Sequence, residues 1–348
     1  MIKSLQSIVL IVTLLLSSVV TATNEDIPAS KLQDSKHVVM LLWRGVTQAE
    51  QGFIDEMNKN DNVRITILDA DKNRETLAKH IDSLEGLRPD LVYTFGTTIT
   101  LSLLGSTNAP TKFKNSGEIP VVFNIVSDPI GSKIVDSVDS TQRTRNYTGV
   151  SHIVPYEVQL NVIKELGNIR TVGILFNPLE NNSQIAANTL LAVATQNGIN
   201  VKRYPVQKRA NGIDESNIQS LVAEMKNDNV DLVYLPADSL LISNAKVITD
   251  IVHSAGLPTF SATESPIRNS GALVGVVSRY YYAGQFAAFK AQQILTEDTF
   301  AGDIPIETLQ QFSYIVNADT ANLIGYFPPV SMLKISELVR NKDVLETP

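Results

Sequence analysis

The sequence predicts an α/β architecture of two doubly wound lobes, each a parallel sheet flanked by helices. Three observations predict it. Seven short runs are nearly all apolar, longer segments of helical period lie between them, and the first three runs correspond in order to the next three. Runs that are apolar throughout read as parallel strands buried on both faces, and their alternation with amphipathic helices marks a doubly wound sheet.

In chain order, the first series is HVVMLLW at 37–43, DLVYTFG at 90–96 and IPVVFNI at 119–125. The second is TVGILFN at 171–177, DLVYLPA at 231–237, LPTFSAT at 257–263 and ALVGVVS at 272–278. Between them Glu50 to Asn58, Arg74 to Leu84, Glu157 to Leu166, Ser183 to Asn197, Glu215 to Met225 and Leu241 to Ala255 carry apolar residues at helical spacing. His37 corresponds to Thr171, Asp90 to Asp231 and Ile119 to Leu257, and Asp-Leu-Val-Tyr occurs at the same place in both halves. Each third run starts with an apolar residue and Pro, and an acid beside another Pro follows it, Asp128-Pro129 and Glu264-Ser265-Pro266. Two lobes of like topology account for this order.

The segment from Val135 to Pro155 is polar and turn-rich and is predicted to carry the first crossing between lobes. Tyr280 to Leu295 is helical by pattern, and Ile304 to Tyr314 holds short strand-like pieces. The expected bounds are 36–148 plus about 279–300 for one lobe, and 149–278 plus about 301–340 for the other.

A length of 348 residues exceeds one ordinary core, and 43% apolar with 19% charged residues is a folded profile. The formal charge of −7, from 29 basic and 36 acidic residues without a basic run, argues against nucleic acid and anionic membrane as partners. Lys3, the apolar Ile8 to Leu16 and the small residues ending Val20-Thr21-Ala22 read as a cleavable export signal over 1–22. That run is shorter than the roughly 20 residues a membrane span needs, so no membrane insertion is expected after cleavage. The chain has no cysteine, which excludes disulfides, thiolate metal sites and a lipid-modified N-terminal cysteine. An exported chain without a lipid tether is expected in a periplasm.

Ligands of open parallel sheets sit outside the carboxyl ends of the strands. The loops there hold Trp43 and Arg44; Gly96, Thr97 and Thr98; Ser127 and Asp128; Asn177; Asp238 and Ser239; Glu264; and Arg279 and Tyr280. Thr97 and Thr98 open a helix, where free amides and hydroxyls hold a carboxylate or a hydroxyl simply caps. Asp128 and Glu264 suit a ligand ammonium, and Asp128 and Asp238 equally suit helix caps. Trp43 offers a stacking face with Arg44 as an anion partner, or is core. Asn177 before Pro178 is a turn residue facing the cleft.

Signals for chemistry are weak. The histidines His37, His80, His152 and His253 lack metal spacing and read as structural or solvated. No phosphate loop, dinucleotide turn or nucleophile elbow occurs, and neither a cofactor nor a metal is expected. Asp128 and Glu264 as a hydrolytic carboxylate pair form a minor alternative; otherwise no enzyme is predicted.

The stretches IPVVFNIVSDPIGSKIV at 119–135, NYTGVSHIVPYEVQLNVIKEL at 146–166, TVGILFNPLENNSQ at 171–184, GALVGVVSRYYYAGQFAAFKAQQIL at 271–295 and DIPIETLQQFSYIVNADTANLIG at 303–325 together resemble one family. It is that of ABC-transporter substrate-binding proteins related to tryptophan and tyrosine binders, and the likeness spans residues 36 to 326. The resemblance implies the two-lobed periplasmic-binding-protein fold (type I), resembling branched-chain amino-acid binders and hinged by multiple crossovers. It further implies capture of a small organic ligand, amino-acid-like or another small carboxylate, for an inner-membrane ABC permease. A signalling receptor in place of the permease is the alternative partner. Carried over by position, Thr97, Thr98, Ser127, Asp128, Ser151, Asn177, Asp238 and Glu264 fall on cleft motifs. The chain departs at Val277-Ser278-Arg279-Tyr280-Tyr281, where the family commonly has Gly-Ile-Asp-Tyr-Tyr. Arg279 in place of an acid at the rim is expected to change which charges are accepted.

Overall fold

In the computed structural model, residues 35–113, 117–138, 144–210 and 212–341 are described. The export signal read over 1–22 lies outside them.

The first half runs β1 Lys36–Leu42, α1 Gln48–Met57, β2 Val63–Asp69, α2 Arg74–Leu87, β3 Leu91–Phe95, α3 Gly96–Leu104, β4 Val121–Val126 and β5 Tyr147–Ser151. The second runs α4 Tyr156–Glu165, β6 Thr171–Phe176, α5 Asn181–Gln196, β7 Asn200–Pro205, the hairpin β8 Lys208–Arg209 and β9 Gly212–Ile213, α6 Glu215–Asn227 and β10 Leu232–Leu235. It continues with α7 Ser239–Ser243, α8 Ala245–Ser254, β11 Thr259–Ser261, α9 Glu264–Ser270 and β12 Val274–Val277. Then follow α10 Tyr280–Thr296, β13 Glu307–Thr308, β14 Ser313–Asn317, α11 Ala318–Ile324, α12 Val330–Leu333 and β15 Glu337–Val339.

One sheet has the order β13-β5-β4-β3-β1-β2 and the other β15-β14-β12-β11-β10-β6-β7. Leaving out the late strands, both are the same doubly wound sheet, with the third strand beside the first and the second at the edge. Within these two sheets all pairings are parallel except β12 with β14. Apolar clusters cover both faces of each sheet, so β1, β3, β4, β6 and β10 are buried along nearly their whole length. This is why those strands are apolar without alternation.

The repeated tetrapeptide has a repeated job. Asp90 accepts the His37 amide at 2.7 Å, and Asp231 accepts the Arg170 and Thr171 amides at 2.8 and 2.9 Å. Each aspartate thus ties the start of its lobe's first strand to the third. Tyr93 and Tyr234 are both fully buried, and each finds a polar partner for its hydroxyl, Asn124 at 3.1 Å and Gln159 at 2.8 Å. Burying a phenol requires that pairing.

Four strands differ from expectation. β5 lies inside the stretch read as a polar crossing, and it pairs with β4 in the first sheet, so the chain leaves that sheet only at 152–155. The edge strands β2 and β7 are half exposed and lack the apolar run that marks a central strand. The segment from about 301 was expected in the second lobe, yet Glu307 and Thr308 pair with β5. Buried Lys290 on α10 fastens this return, donating to the Pro305 carbonyl at 2.6 Å and to Glu307 at 2.8 Å. The chain therefore passes between sheets at 152–155, 278–279 and 309–312. The helix read over Leu241 to Ala255 is two helices, broken at Asn244.

Helix α10 returns from the second sheet to pack on α1, closely enough that glycine is required on both sides. A Cβ at Gly52 would lie 2.0 Å from the Tyr281 carbonyl, and one at Gly284 would lie 2.0 Å from that of Ala49.

Candidate ligand cleft

A cleft of about 480 Å³ opens where the strand ends of the two sheets converge. From the first lobe it is lined by Trp43 and Arg44 after β1, by Phe95 through Ile99 after β3, and by Ile125 and Ser127 at the end of β4. From the second it takes Glu180 and Asn182 after β6, and Ala237, Asp238, Ser239 and Ile242 after β10. His152 and Tyr280, at two of the crossings, complete it. Most of these groups follow the first and third strands of a lobe. Those strands are neighbours whose chain connections leave in opposite directions, the switch point where open α/β sheets hold ligands.

The first lobe presents positive potential. α3 enters from Phe95, which has no side chain able to cap it, so the leading amides of this helix have no side-chain acceptor. Such amides, at the positive end of the helix dipole, suit an anion. Thr97 and Thr98 occupy its first turn. Arg44 stands beside them with its guanidinium 5.4 Å from the centre of the Phe95 ring.

The second lobe presents acid. Asp238 is fully buried; Oδ1 accepts the Leu241 amide at 2.7 Å as a helix cap, and Oδ2 has no partner. Burial first, and then the adjacent Glu180 carboxylate, push the Asp238 carboxyl up to about 7. Glu180 begins α5 and accepts the Ser239 amide at 3.4 Å, which links the two loops. Asn182 fixes the same junction from below by donating to the Ala237 carbonyl at 2.7 Å.

At the back of the cleft His152 is 2% exposed, and neither ring nitrogen has a hydrogen-bond partner. Its ring meets the edge of Tyr280 at 5.3 Å between centroids. Burial, reinforced by the positive charge of Arg44, holds its imidazole down to about 3, so it is neutral at physiological pH.

Of the residues expected to bind ligand, Trp43, Thr97, Thr98, Ser127 and Asp238 line this cleft. The other five have different work, and the reason is in their bonds. Asp128 accepts the Gly131 amide at 2.8 Å and caps the turn after β4. Ser151 donates to the Ser127 carbonyl at 3.0 Å, bracing that loop. Asn177 takes the Leu179 amide at 3.0 Å in a local turn. Glu264 accepts the Tyr280 amide at 3.0 Å and ion-pairs with Arg268 at 3.2 Å and Arg279 at 3.5 Å, so it caps α10 from across the crossing. Arg279 is also bonded to Glu337, which Arg268 grips in two-pronged fashion at 2.8 Å. Hydrogen bonds from Arg268 and Arg279 hold Glu337 down to about 2. The basic substitution at Arg279 is thus neutralised by Glu264 and Glu337, and it does not bring a charge to the cleft as expected. Asp128 and Glu264, the expected carboxylate pair, each accept a backbone amide, and neither is among the residues lining the cleft.

Arg44, Glu180, Asn182 and His152 also line the cleft and are not among the expected binding residues. Arg44 follows a switch-point strand, and that position in the sequence marks it as an anion partner. Glu180 and Asn182 lie in the helix start after β6, just beyond the loop at Asn177 and Pro178. Nothing in the sequence distinguishes His152 from a structural histidine; only its unpaired burial in the cleft wall does.

Residues 40–337 match the family described as ABC transporter substrate binding protein. A Tyrosine-binding protein of Clostridioides difficile is 26% identical over 281 residues, covering 78% of this chain and 75% of its own. Among solved structures, an ABC domain from Streptococcus pneumonia in complex with L-Trp superposes with a TM-score of 0.74 at 23% identity, covering 88% of this chain and 99% of its own. The ligand-free, open CD0873 of Clostridium difficile gives a TM-score of 0.67 at 20% identity, covering 88% of this chain and 100% of its own. These structures share the two-lobed type I periplasmic-binding fold.

Proposed function

The chain belongs to the family of ABC transporter substrate binding proteins, and from that premise we propose that it captures an amino-acid-like zwitterion for an importer. The observation that carries this reading is the opposition of charge across the cleft. The uncapped start of α3 and Arg44 lie on one lobe, and Glu180 with Asp238 on the other. A carboxylate on the first and an ammonium on the second leave the ligand touching both, and only such a ligand favours the closed arrangement. Trp43, Phe95 and Tyr280 offer apolar and aromatic surface for its side chain. The relatives named for tyrosine and bound to L-Trp support an aromatic amino acid.

Binding of a cation requires Asp238 in its ionised form, so capture releases a proton near neutral pH. The residues Lys3, Ile8 to Leu16 and Val20-Thr21-Ala22 support delivery to the periplasm, and the absence of cysteine supports a freely diffusing receptor handing its cargo to a permease. Among the described residues no helix is long and apolar enough to cross a membrane.

The test is a thermal-shift screen of the mature protein against L-amino acids, other small carboxylates and sugars, because a native-state ligand raises the melting temperature. Aromatic L-amino acids are expected to give the largest rise, accompanied by a smaller radius of gyration in solution scattering. A sugar or an uncharged solute giving the largest rise contradicts the reading.

A further inference from the structure

Resting on that reading, we propose that Ile125 is a positioning residue of the cleft, an extra residue set into β4 whose strained backbone fixes the wall beside the start of α3. Among the described residues Asp71, Lys72, Arg88, Lys133, Asn229 and Asp298 have positive φ without being glycine, and all are exposed, polar and in turns or just past helix ends. Ile125, at φ +56°, is the exception: it is β-branched, 5% exposed and inside a strand. A branched side chain clashes with its own backbone in that region, so the conformation persists only where the surroundings impose it.

Here the surroundings do impose it. From Phe123 to Val126 β4 advances three residues while its partner β5 advances two, from Gly149 to Ser151, so one residue of β4 is surplus. The faces identify it. Phe123 and Val126 belong to the apolar cluster on one side of the sheet and Ile125 to the cluster on the other, where Asn124 also bonds the Tyr93 hydroxyl. Two successive residues thus share a face, which a regular strand does not allow. Asn124 is fully buried, and its Oδ1 accepts the Ile125 amide at 2.9 Å while its Nδ2 donates to Tyr93 at 3.1 Å.

What the surplus residue provides is position. Ile125 lines the cleft, and its carbonyl faces Gly96, itself at φ +75°, where an added Cβ would lie 4.0 Å away. The strained turn therefore abuts the entrance of α3, the place assigned to the ligand's anionic group. Ser127, two residues on, lines the same cleft, and Ser151 secures the far end of the bulge by donating to the Ser127 carbonyl at 3.0 Å. A wall held in one conformation spares the ligand the cost of ordering it.

The experiment compares Ile125→Ala with Ile125→Gly, which differ by one methyl group and by the freedom of φ. At an ordinary strand position glycine is the less stable of the two. Here Ile125→Gly should be the more stable, with an unfolding constant about fivefold smaller in urea denaturation. The probe for binding is the L-amino acid or small carboxylate that the wild type binds tightest. Ile125→Gly should bind it about fivefold more weakly than Ile125→Ala, because glycine no longer holds the wall in one conformation. A residue that merely supports the fold would move stability and affinity together. Ile125→Ala as stable as Ile125→Gly, or more so, overturns the proposal, and so does equal or tighter binding by Ile125→Gly. Those outcomes leave the amino-acid-like receptor reading in place, whereas a wild type that binds no L-amino acid or small carboxylate sinks both. If either variant does not fold, NMR of the wild type decides instead. A positive φ at Ile125 should give a strong amide–Hα contact within the residue in the free and the ligand-bound protein alike, and an extended φ in either state is the contrary result.

Discussion

After β3 the chain enters α3 through Phe95, which cannot cap it; after β10 it enters α7 through Asp238, whose carboxylate takes the Leu241 amide. The two lobes share strand order, the Asp-Leu-Val-Tyr core and the position of this junction, yet they finish it in opposite ways. One leaves its helix start open to an anion, whereas the other closes the start with an acid and buries that acid beside a second one, Glu180. A repeated scaffold thus presents two cleft walls of opposite charge character, and the two helix starts differ in their caps. The caps decide the charge, and the sheets decide where the charge points.

Copying the second lobe's acid into the first should erase this difference. Thr98→Asp places a carboxylate in the first turn of α3, where it satisfies the free amides itself and repels a ligand carboxylate. Affinity for a bound amino acid should fall by about 100-fold or more, roughly 3 kcal/mol, with the melting temperature of the empty protein unchanged or raised. Retention of affinity would show that α3 does not hold the carboxylate.

The reciprocal change is milder. Asp238→Asn keeps the oxygen that caps α7 and removes the charge that holds an ammonium. Affinity should drop about 30-fold, roughly 2 kcal/mol, in calorimetry, and its dependence on pH near neutrality should disappear. In the wild type, affinity falls as pH drops below about 7, because the proton on Asp238 must leave before a cation enters.

Stability should carry the same signature with opposite slopes from the two sites. Asp238 holds its proton up to about 7 when folded but only to about 4 when unfolded. The folded state therefore binds more protons in between, and this contribution is full below about pH 4 and lost as pH rises to 7. His152 takes a proton below about 6.5 when unfolded and only near 3 when folded, so its contribution is lost as pH falls from 6.5 toward 3. His253, down to about 4 by burial, acts in the same sense as His152. Chemical denaturation of Asp238→Asn across pH 4 to 7 should gain stability relative to wild type steadily with pH. A constant difference contradicts the assignment.

The smallest effect concerns what the lobes have in common. Asp90→Ala and Asp231→Ala should each cost about 1 kcal/mol in urea unfolding, discounted for their partial exposure, with Asp231 the larger because it accepts two amides where Asp90 accepts one. A cost confined to one of them would break the equivalence of the repeats.

Much of this was legible beforehand, for physical reasons that also mark where legibility stopped. Central strands such as VVMLL in β1 and GILF in β6 are buried on both faces, so composition alone reveals them. The edge strands VRITILD and NVKRYP face solvent on one side and carry charges that blur the pattern. β5 is short, polar and threaded by Gly149, which sits against the ring of Phe123 where a Cβ would not fit. In the cleft, Trp43, Thr97, Thr98, Ser127 and Asp238 were found because strand ends were searched. Asp128, Ser151, Asn177, Glu264 and Arg279 also follow strand ends but lie outside the cleft lining, with their polar atoms bonded to neighbouring groups of the protein. Most of the lining comes from the switch-point strands, and a carboxylate beside a helix start or an arginine cluster is more often spent on its neighbours than on a ligand.

The central claim is that a ligand's two charges are held by different lobes, and it is tested most directly by titrating the aromatic L-amino acid that binds tightest alongside its two half-charged analogues, the amine without the carboxylate and the acid without the amine. Each analogue loses one lobe. Both should bind at least 100-fold more weakly and neither should contract the protein in solution scattering. An analogue that binds as tightly as the parent, or closes the lobes as fully, contradicts the account.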